Sequence, residues 1–229
     1  LYSAFTYFLG FRVNSGEYKV MGLAPYGEPK YYDLIMNHLI EVKKDGSFKL
    51  NLAYFSYMYG LRMTGRKFEK LLGRKRRRKE ARLTQDDFDV AASIQKVTEE
   101  VVLRIAKFLK RETTMKYLCL AGGVALNCVA NGRVLREAGF DDIYIQPASG
   151  DAGGALGSAL FAYYSVLKHK RKPQVLASPY VGPAYSEAEI QRALDQNQAV
   201  YHRWDQASLV RKTADLLAAQ QVIGWFQGP

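Results

Sequence analysis

Leu120-Ala-Gly-Gly-Val-Ala-Leu-Asn127 is the stretch whose reading decides the fold. It continues the short apolar run Tyr117-Leu-Cys-Leu-Ala121, which reads as a buried strand. Gly122-Gly123 breaks that run, and a helical pattern from about Leu126 to Glu137 follows, ended by Gly139. Asp142-Ile-Tyr-Ile-Gln146 is a second strand, stopped by Pro147. The loop Ala148-Ser-Gly-Asp-Ala-Gly-Gly154 then leads into a helix from Ala155 to Leu167. Strand, helix, strand and helix in succession make an α/β unit with parallel strands and a right-handed crossover.

Upstream, Thr84-Gln-Asp-Asp87 places a capping hydroxyl and two carboxylates at a helix start, where the macrodipole favours negative charge. Ala91, Ile94, Val97, Val101, Ile105 and Phe108 follow at spacings of three and four, which is one apolar face. Pro29 can open an earlier helix through Tyr31–Ile40, and Ser47–Leu52 alternates like a strand. The basic, polar stretch to Leu83 carries weak signals of order. Downstream, Lys168-His-Lys-Arg-Lys172 before Pro173 reads as a linker, since proline disfavours helix at the residue before it. The pattern then restarts. Ser186-Glu-Ala-Glu189 is a capping box, Ala199–Arg203 suits a strand, Ala207–Gln220 an amphipathic helix, and Val222–Phe226 another strand. Two domains are expected, residues 1–170 and 171–229. The missing initiator Met and the end at Gln227-Gly-Pro229, straight after a strand, suggest a piece of something longer.

Composition bounds the chemistry. With 229 residues and 48% hydrophobic content, the chain can build a packed core. No apolar run reaches the roughly 20 residues of a membrane-spanning helix, and the N-terminus lacks the features of a signal peptide. Cys119 and Cys128 belong to no CxxC and read as buried, inert thiols, which fits a reducing cytoplasm. His38, His169 and His202 form no HxxH or HxxxH pair, so no local two-histidine metal site exists. The net charge of +11 lies largely in Arg66–Arg82. Such a run either meets a phosphate or nucleic acid or is a solvated surface. It lacks the interleaved aromatics, beyond Phe68, that stack single-stranded bases.

Three segments can carry chemistry. Gly122-Gly123 followed by a helix puts backbone N–H groups at the carboxyl end of a strand, where phosphates and purines approach α/β sheets, and Asn127 can bond a base or ribose. A tight turn made only for packing would look the same. Asp151, among the small residues Gly150, Gly153, Gly154, Ala155 and Gly157, can cap a helix or bind a metal. Lys19, in Glu17-Tyr-Lys-Val-Met-Gly-Leu-Ala-Pro-Tyr-Gly27, can meet an anion or simply face solvent.

EYKVMGLAPYG, LAGGVALNCVANGRVL and IYIQPASGDAGGALGSAL, in this order, resemble the NodU-type carbamoyltransferase family. SPYVGPAYSEAEI resembles the entry to that family's C-terminal domain, and VIGWFQGP the start of its GWFQGxMEFGPRALG motif. The resemblance spans essentially the whole chain. It implies an α/β fold: the second half of an actin-like (ASKHA-type) nucleotide-binding domain, similar to the tRNA threonylcarbamoyladenosine-synthesis protein, then the start of a YrdC-like domain. It further implies a cytoplasmic enzyme. Carbamoyl phosphate and ATP give carbamoyladenylate, and the carbamoyl group passes to a hydroxyl acceptor such as a sugar or natural product. By the resemblance, Gly122, Gly123 and Asn127 map to the nucleotide pocket with Gly150 and Gly153 beside it. Asp151 maps to a metal ligand, commonly for iron, whose histidines lie in an upstream HxxxH motif. Lys19 is the candidate catalytic cation. Two alternatives remain: a tRNA-modifying relative touching RNA through residues 66–82, and a non-catalytic actin-like interaction module. No membrane partner is expected.

Overall fold

The computed structural model describes residues 1–172, 180 and 182–228. They form two separate units, Leu1–His169 and Lys170–Pro229. The first is α/β. Its helices are α1 (Tyr2–Phe8), α2 (Glu17–Leu23), α3 (Tyr32–His38), α4 (Arg66–Leu72), α5 (Gln85–Thr113), α6 (Cys128–Glu137) and α7 (Asp151–Phe161). Its strands are β1 (Ile40–Val42), β2 (Phe48–Leu50), β3 (Tyr117–Leu120) and β4 (Asp142–Ile145).

The 29-residue α5 organises this unit. Its start is fixed by the expected cap: the Thr84 N–H and hydroxyl both donate to the Asp87 carboxylate at 2.8 Å. Its apolar face buries Val90, Ala91, Ile94, Val97 and Val101 against Phe5, Phe8, Leu9, Ile35 and Leu39. Farther along, Leu103 and Ala106 pack with Val134, Ala138 and Phe140, and with Leu118 and Ile143 of the sheet. One helix therefore supplies the floor for two hydrophobic clusters.

β3 and β4 pair in parallel with Tyr117 opposite Asp142 and Leu120 opposite Ile145, joined through α6 as expected. Among the described residues only one sheet face is covered. Leu118 points into the second cluster, while Tyr117 and Tyr144 are exposed. Cys119 shares their alternation and is exposed too, and so is Cys128 on the first turn of α6; the expectation of buried thiols is wrong. β1 and β2 form an antiparallel hairpin. It absorbs Ile40, expected in the preceding helix, and it ends before Leu52, which opens a 3₁₀ turn capped by the Asn51 side chain.

The basic stretch is better ordered than its composition suggests. Phe68 on α4 is fully buried, with ring centroids 5.2 Å from Phe5 and from Phe8 and 5.9 Å from Phe55. Arg77 is buried and donates to the Leu9 carbonyl at 2.6 Å and to that of Ala81. Arg74 bridges Asp86 at 2.8 Å and Asp87 at 2.5 Å, and Arg76 lies 4.4 Å over the Tyr7 ring. Acidic, carbonyl and aromatic partners take up three arginines of a run whose composition leaves both a polyanion contact and a solvated surface open.

The segment Met21–Lys30 is clamped onto α5 by Asp89. This nearly buried carboxylate accepts from Lys30 Nζ at 2.6 Å, from the Glu28 N–H at 2.9 Å and from the Gln85 amide at 3.0 Å. A Cβ on Gly27 would sit 2.1 Å from the Phe88 carbonyl oxygen, so backbone lies directly on backbone there.

The second unit holds α8 (Glu187–Gln196), opened by the expected Ser186–Glu189 box, and α9 (Gln206–Ala218), capped by Asp205. Ala199–Arg203 and Val222–Phe226 are not strands. Their residues alternate suitably, but no pairing segment exists for them among the described residues, and Val200, Val222 and Phe226 stand almost fully exposed. Pro173 and the start of SPYVGP fall outside the described residues. No helix among the described residues is long and apolar enough to cross a membrane.

Two outcomes follow. Gly27→Ala forces the loop off α5 and should cost about 1–3 kcal/mol in thermal or urea unfolding. Gly22→Ala, in open space on α2, should gain about 0.5–1 kcal/mol. Equal effects from the two would contradict the clamp. Burial pushes the Asp89 carboxyl up, but the bonds from Lys30, Glu28 and Gln85 outweigh this and hold it below the usual value. A carboxylate lowered in the fold stabilises above its unfolded pKa and loses that contribution as pH falls through the folded one. The Tm gap between wild type and Asp89→Asn should therefore be full at neutral pH and shrink below about pH 4. A gap constant down to about pH 3 would refute this role.

Candidate functional site

β3 runs into Ala121 and Gly122, and Gly122 takes φ +97°, a left-handed conformation that only glycine adopts readily. A 3₁₀ turn, Gly123–Leu126, intervenes before α6, so the helix begins at Cys128 rather than at Leu126. β4 ends at Ile145, and Gln146–Gly150 forms the matching loop before α7. That helix begins at Asp151, four residues earlier than its composition suggests, and passes at Ala162 into a π-helical turn ending at Val166.

The structure brings the two glycine loops together. The Gly122 N–H donates to the Ser149 carbonyl at 2.8 Å, and Gly150 lies against the Leu126 side chain. Both loops leave the carboxyl ends of adjacent parallel strands, the position where α/β sheets receive ligands. No atom lies within 4 Å of a Cβ built on Gly122, Gly123 or Gly154. The backbone there opens onto free space. Gly153 differs: a Cβ would sit 2.2 Å from the Ala148 carbonyl oxygen, so this glycine lets α7 fold back on its own entry loop.

Asp151 does not cap α7; Gly150 holds the N-cap position and no side-chain cap is made. Its exposed carboxylate stands at the helix N-terminus with no hydrogen bond or ion pair among the described residues. No group of three His, Cys, Asp or Glu able to hold a metal occurs among the described residues.

Asn127 is held rather than free. Its Oδ1 accepts from the Ala130 N–H at 3.0 Å and from Gln95 Nε2 at 3.1 Å, and its Nδ2 donates to Gln95 Oε1 at 2.9 Å. Gln95 is the residue that the sequence reading missed. The available signal was a lone amide beside Ala91, Ile94 and Val97, on an otherwise apolar helix face.

Lys19 lies exposed on α2, its ammonium 5.8 Å from the Phe11 ring and 6.0 Å from that of Tyr18, with no acidic partner among the described residues. The α2 residue that touches the start of α6 is Met21, whose sulfur is 3.9 Å from Cys128 Sγ. Residues two apart on a helix do not share a face, so Lys19 is not grouped with the glycine loops.

Because Asp151 makes no bond among the described residues, Asp151→Ala should change unfolding free energy by no more than about 1 kcal/mol, the worth of its charge at a helix N-terminus. A larger loss in a urea titration would give Asp151 a structural role instead.

Comparison with known proteins places these features. The profile of the family described as carbamoyltransferase N-terminus matches residues 1–160. An uncharacterized protein of Synechocystis is 55% identical over 100% of this chain and 38% of its own length. Nodulation protein NolO of Bradyrhizobium diazoefficiens is 37% identical over 93% of this chain and 37% of its own length. The 3'-hydroxymethylcephem-O-carbamoyltransferase of Streptomyces clavuligerus is 26% identical over 65% of this chain and 26% of its own length. This chain thus spans well under half the length of these relatives. With the profile covering both glycine loops and the Met21–Lys30 clamp, the chain belongs to the carbamoyltransferase family through that N-terminal region.

Proposed function

We propose that this chain is part of an ATP-dependent carbamoyltransferase and carries the nucleotide-facing half of an actin-like domain, with residues from about 171 beginning a YrdC-like domain. The observation that carries the reading is the pairing of the two glycine loops through Gly122 and Ser149 at the carboxyl ends of β3 and β4. A named relative that transfers carbamoyl groups to oxygen supports the reaction class.

In this reading carbamoyl phosphate and ATP are the donors, and a hydroxyl compound is the acceptor. ATP supplies activation: water releases inorganic phosphate from carbamoyl phosphate to leave carbamate, whose oxygen bonds to the α-phosphorus of ATP as the bond to pyrophosphate breaks, so that the carbamoyl carbon carries AMP as a good leaving group. The acceptor oxygen bonds to that carbon, the bond to the AMP phosphate oxygen breaks, and the hydroxyl proton goes to base or solvent. The open peptides of Gly122 and Gly123 receive the nucleotide, with Gly150 beside them. The N-terminus of α7 adds a favourable dipole for anionic groups. A divalent metal fits the free carboxylate of Asp151 as one ligand, and such a metal would polarise the carbamoyl or acceptor oxygen. Lys19 is a free cation available to a phosphate, with no step assigned to it.

The test uses the full-length protein, ATP, carbamoyl phosphate and a panel of hydroxyl acceptors. The reading expects AMP formation that requires carbamoyl phosphate. It also expects Asp151→Ala to retain adenylate formation while carbamoyl transfer falls on the order of 100-fold or more. A wild-type protein that consumes no ATP with carbamoyl phosphate would sink the assignment, and an Asp151→Ala variant with full transfer would remove Asp151 from the site.

A further inference from the structure

We infer that Gln95 is the positioning residue of the glycine turn, holding Gly122–Asn127 in its nucleotide-receiving shape through Asn127; this rests on the nucleotide reading above. The argument begins with how little else holds the turn. Val124 and Leu126 are each 56% exposed, and Gly122 and Gly123 face open space, so of the turn's side chains only Ala125 and Asn127 are buried. At its start the turn is tied by the Gly122–Ser149 bond. At its end Asn131 donates to the Ala125 carbonyl at 2.7 Å, and Asn127 caps α6.

Asn127 can do this only in one orientation, and Gln95 selects it. A primary amide has two donor hydrogens and two acceptor lone pairs. Gln95 commits all four: Nε2 donates to Asn127 Oδ1 at 3.1 Å and to Glu99 Oε1 at 2.8 Å, while Oε1 accepts from Asn127 Nδ2 at 2.9 Å and from the Tyr2 hydroxyl at 3.1 Å. Gln95 is 4% exposed and Asn127 9%, so water cannot readily replace these bonds. Flipping either amide would set donor against donor and acceptor against acceptor. The paired amides therefore fix the far end of the turn from the rigid mid-section of α5 before any ligand arrives. This is a second layer of support that keeps a binding loop from drifting. It also leaves Asn127 a single N–H to offer a ligand, so its main contribution is to the shape of the turn.

The test separates positioning from stability. In the full-length protein, ADP affinity is measured by calorimetry and Tm by thermal unfolding for wild type, Gln95→Met and Val97→Ala. Val97 is buried in the first cluster on the same helix, so its truncation lowers Tm through the core. The inference expects Gln95→Met to raise the Kd for ADP on the order of tenfold, and Val97→Ala to stay within about twofold of wild type despite its lower Tm. If Gln95→Met binds ADP like wild type, or if both variants weaken binding in step with Tm, Gln95 only stabilises the fold and the inference is overturned. A wild-type protein that binds neither ADP nor AMP would overturn the nucleotide reading itself, and the positioning role with it.

Discussion

The first unit depends on the burial of one face of α5. A helix of 29 residues cannot be held by its cap alone; most of its stability must come from the apolar side chains it removes from water. Those side chains serve two clusters in sequence. The first collects α1, α3, α4 and the hairpin, and the second collects α6 and the inner face of the β3–β4 sheet. Position along α5 therefore sets where the elements of these two clusters sit. The glycine turn follows α6, α6 follows Val134 and Ala138, and these follow Leu103 and Ala106.

Polar groups on the same helix decide what the apolar contacts leave open. Asp87 closes the cap and receives Arg74, Asp89 fastens the Met21–Lys30 segment, Ser93 accepts from the Tyr31 N–H, and Gln95 pairs with Asn127. Each is buried, and each meets a neighbouring segment of the chain. A hydrophobic face tolerates small slips in register; a buried hydrogen-bonded pair does not, because a slip leaves desolvated groups unpaired. These four residues thus convert a generally sticky helix into a set of defined docking points.

The sequence made some of this legible and hid the rest for identifiable reasons. The cap at Thr84, the apolar stripe, the parallel β3–α6–β4 unit and the two glycine loops were readable because each is written in adjacent residues at fixed spacing. Ala199–Arg203 and Val222–Phe226 misled because alternation records only a strand's willingness to pair, and no partner meets them among the described residues. Residues 66–82 misled in the opposite sense. A run of like charges looks uniform, yet Arg74, Arg76 and Arg77 differ from their neighbours by the acidic, aromatic and carbonyl groups beneath them. Cys119 looked buried because its neighbours are apolar, but among the described residues the sheet is covered on one face alone. Gln95 is marked in the sequence only as a lone amide on an apolar face, and its partner lies 32 residues away.

The site follows from this arrangement. Two loops leave adjacent parallel strands, a positive-φ glycine in one bonds to the backbone of the other, and an unbonded carboxylate starts the next helix. The central claim is that these loops act as one nucleotide site. Amide hydrogen exchange of the full-length protein, with and without ADP, tests it most directly. The account predicts slowed exchange at Gly122–Asn127 and at Gly150–Gly153 together, with little change in α8 and α9. Protection of one loop without the other, or protection confined to residues outside both, would contradict it.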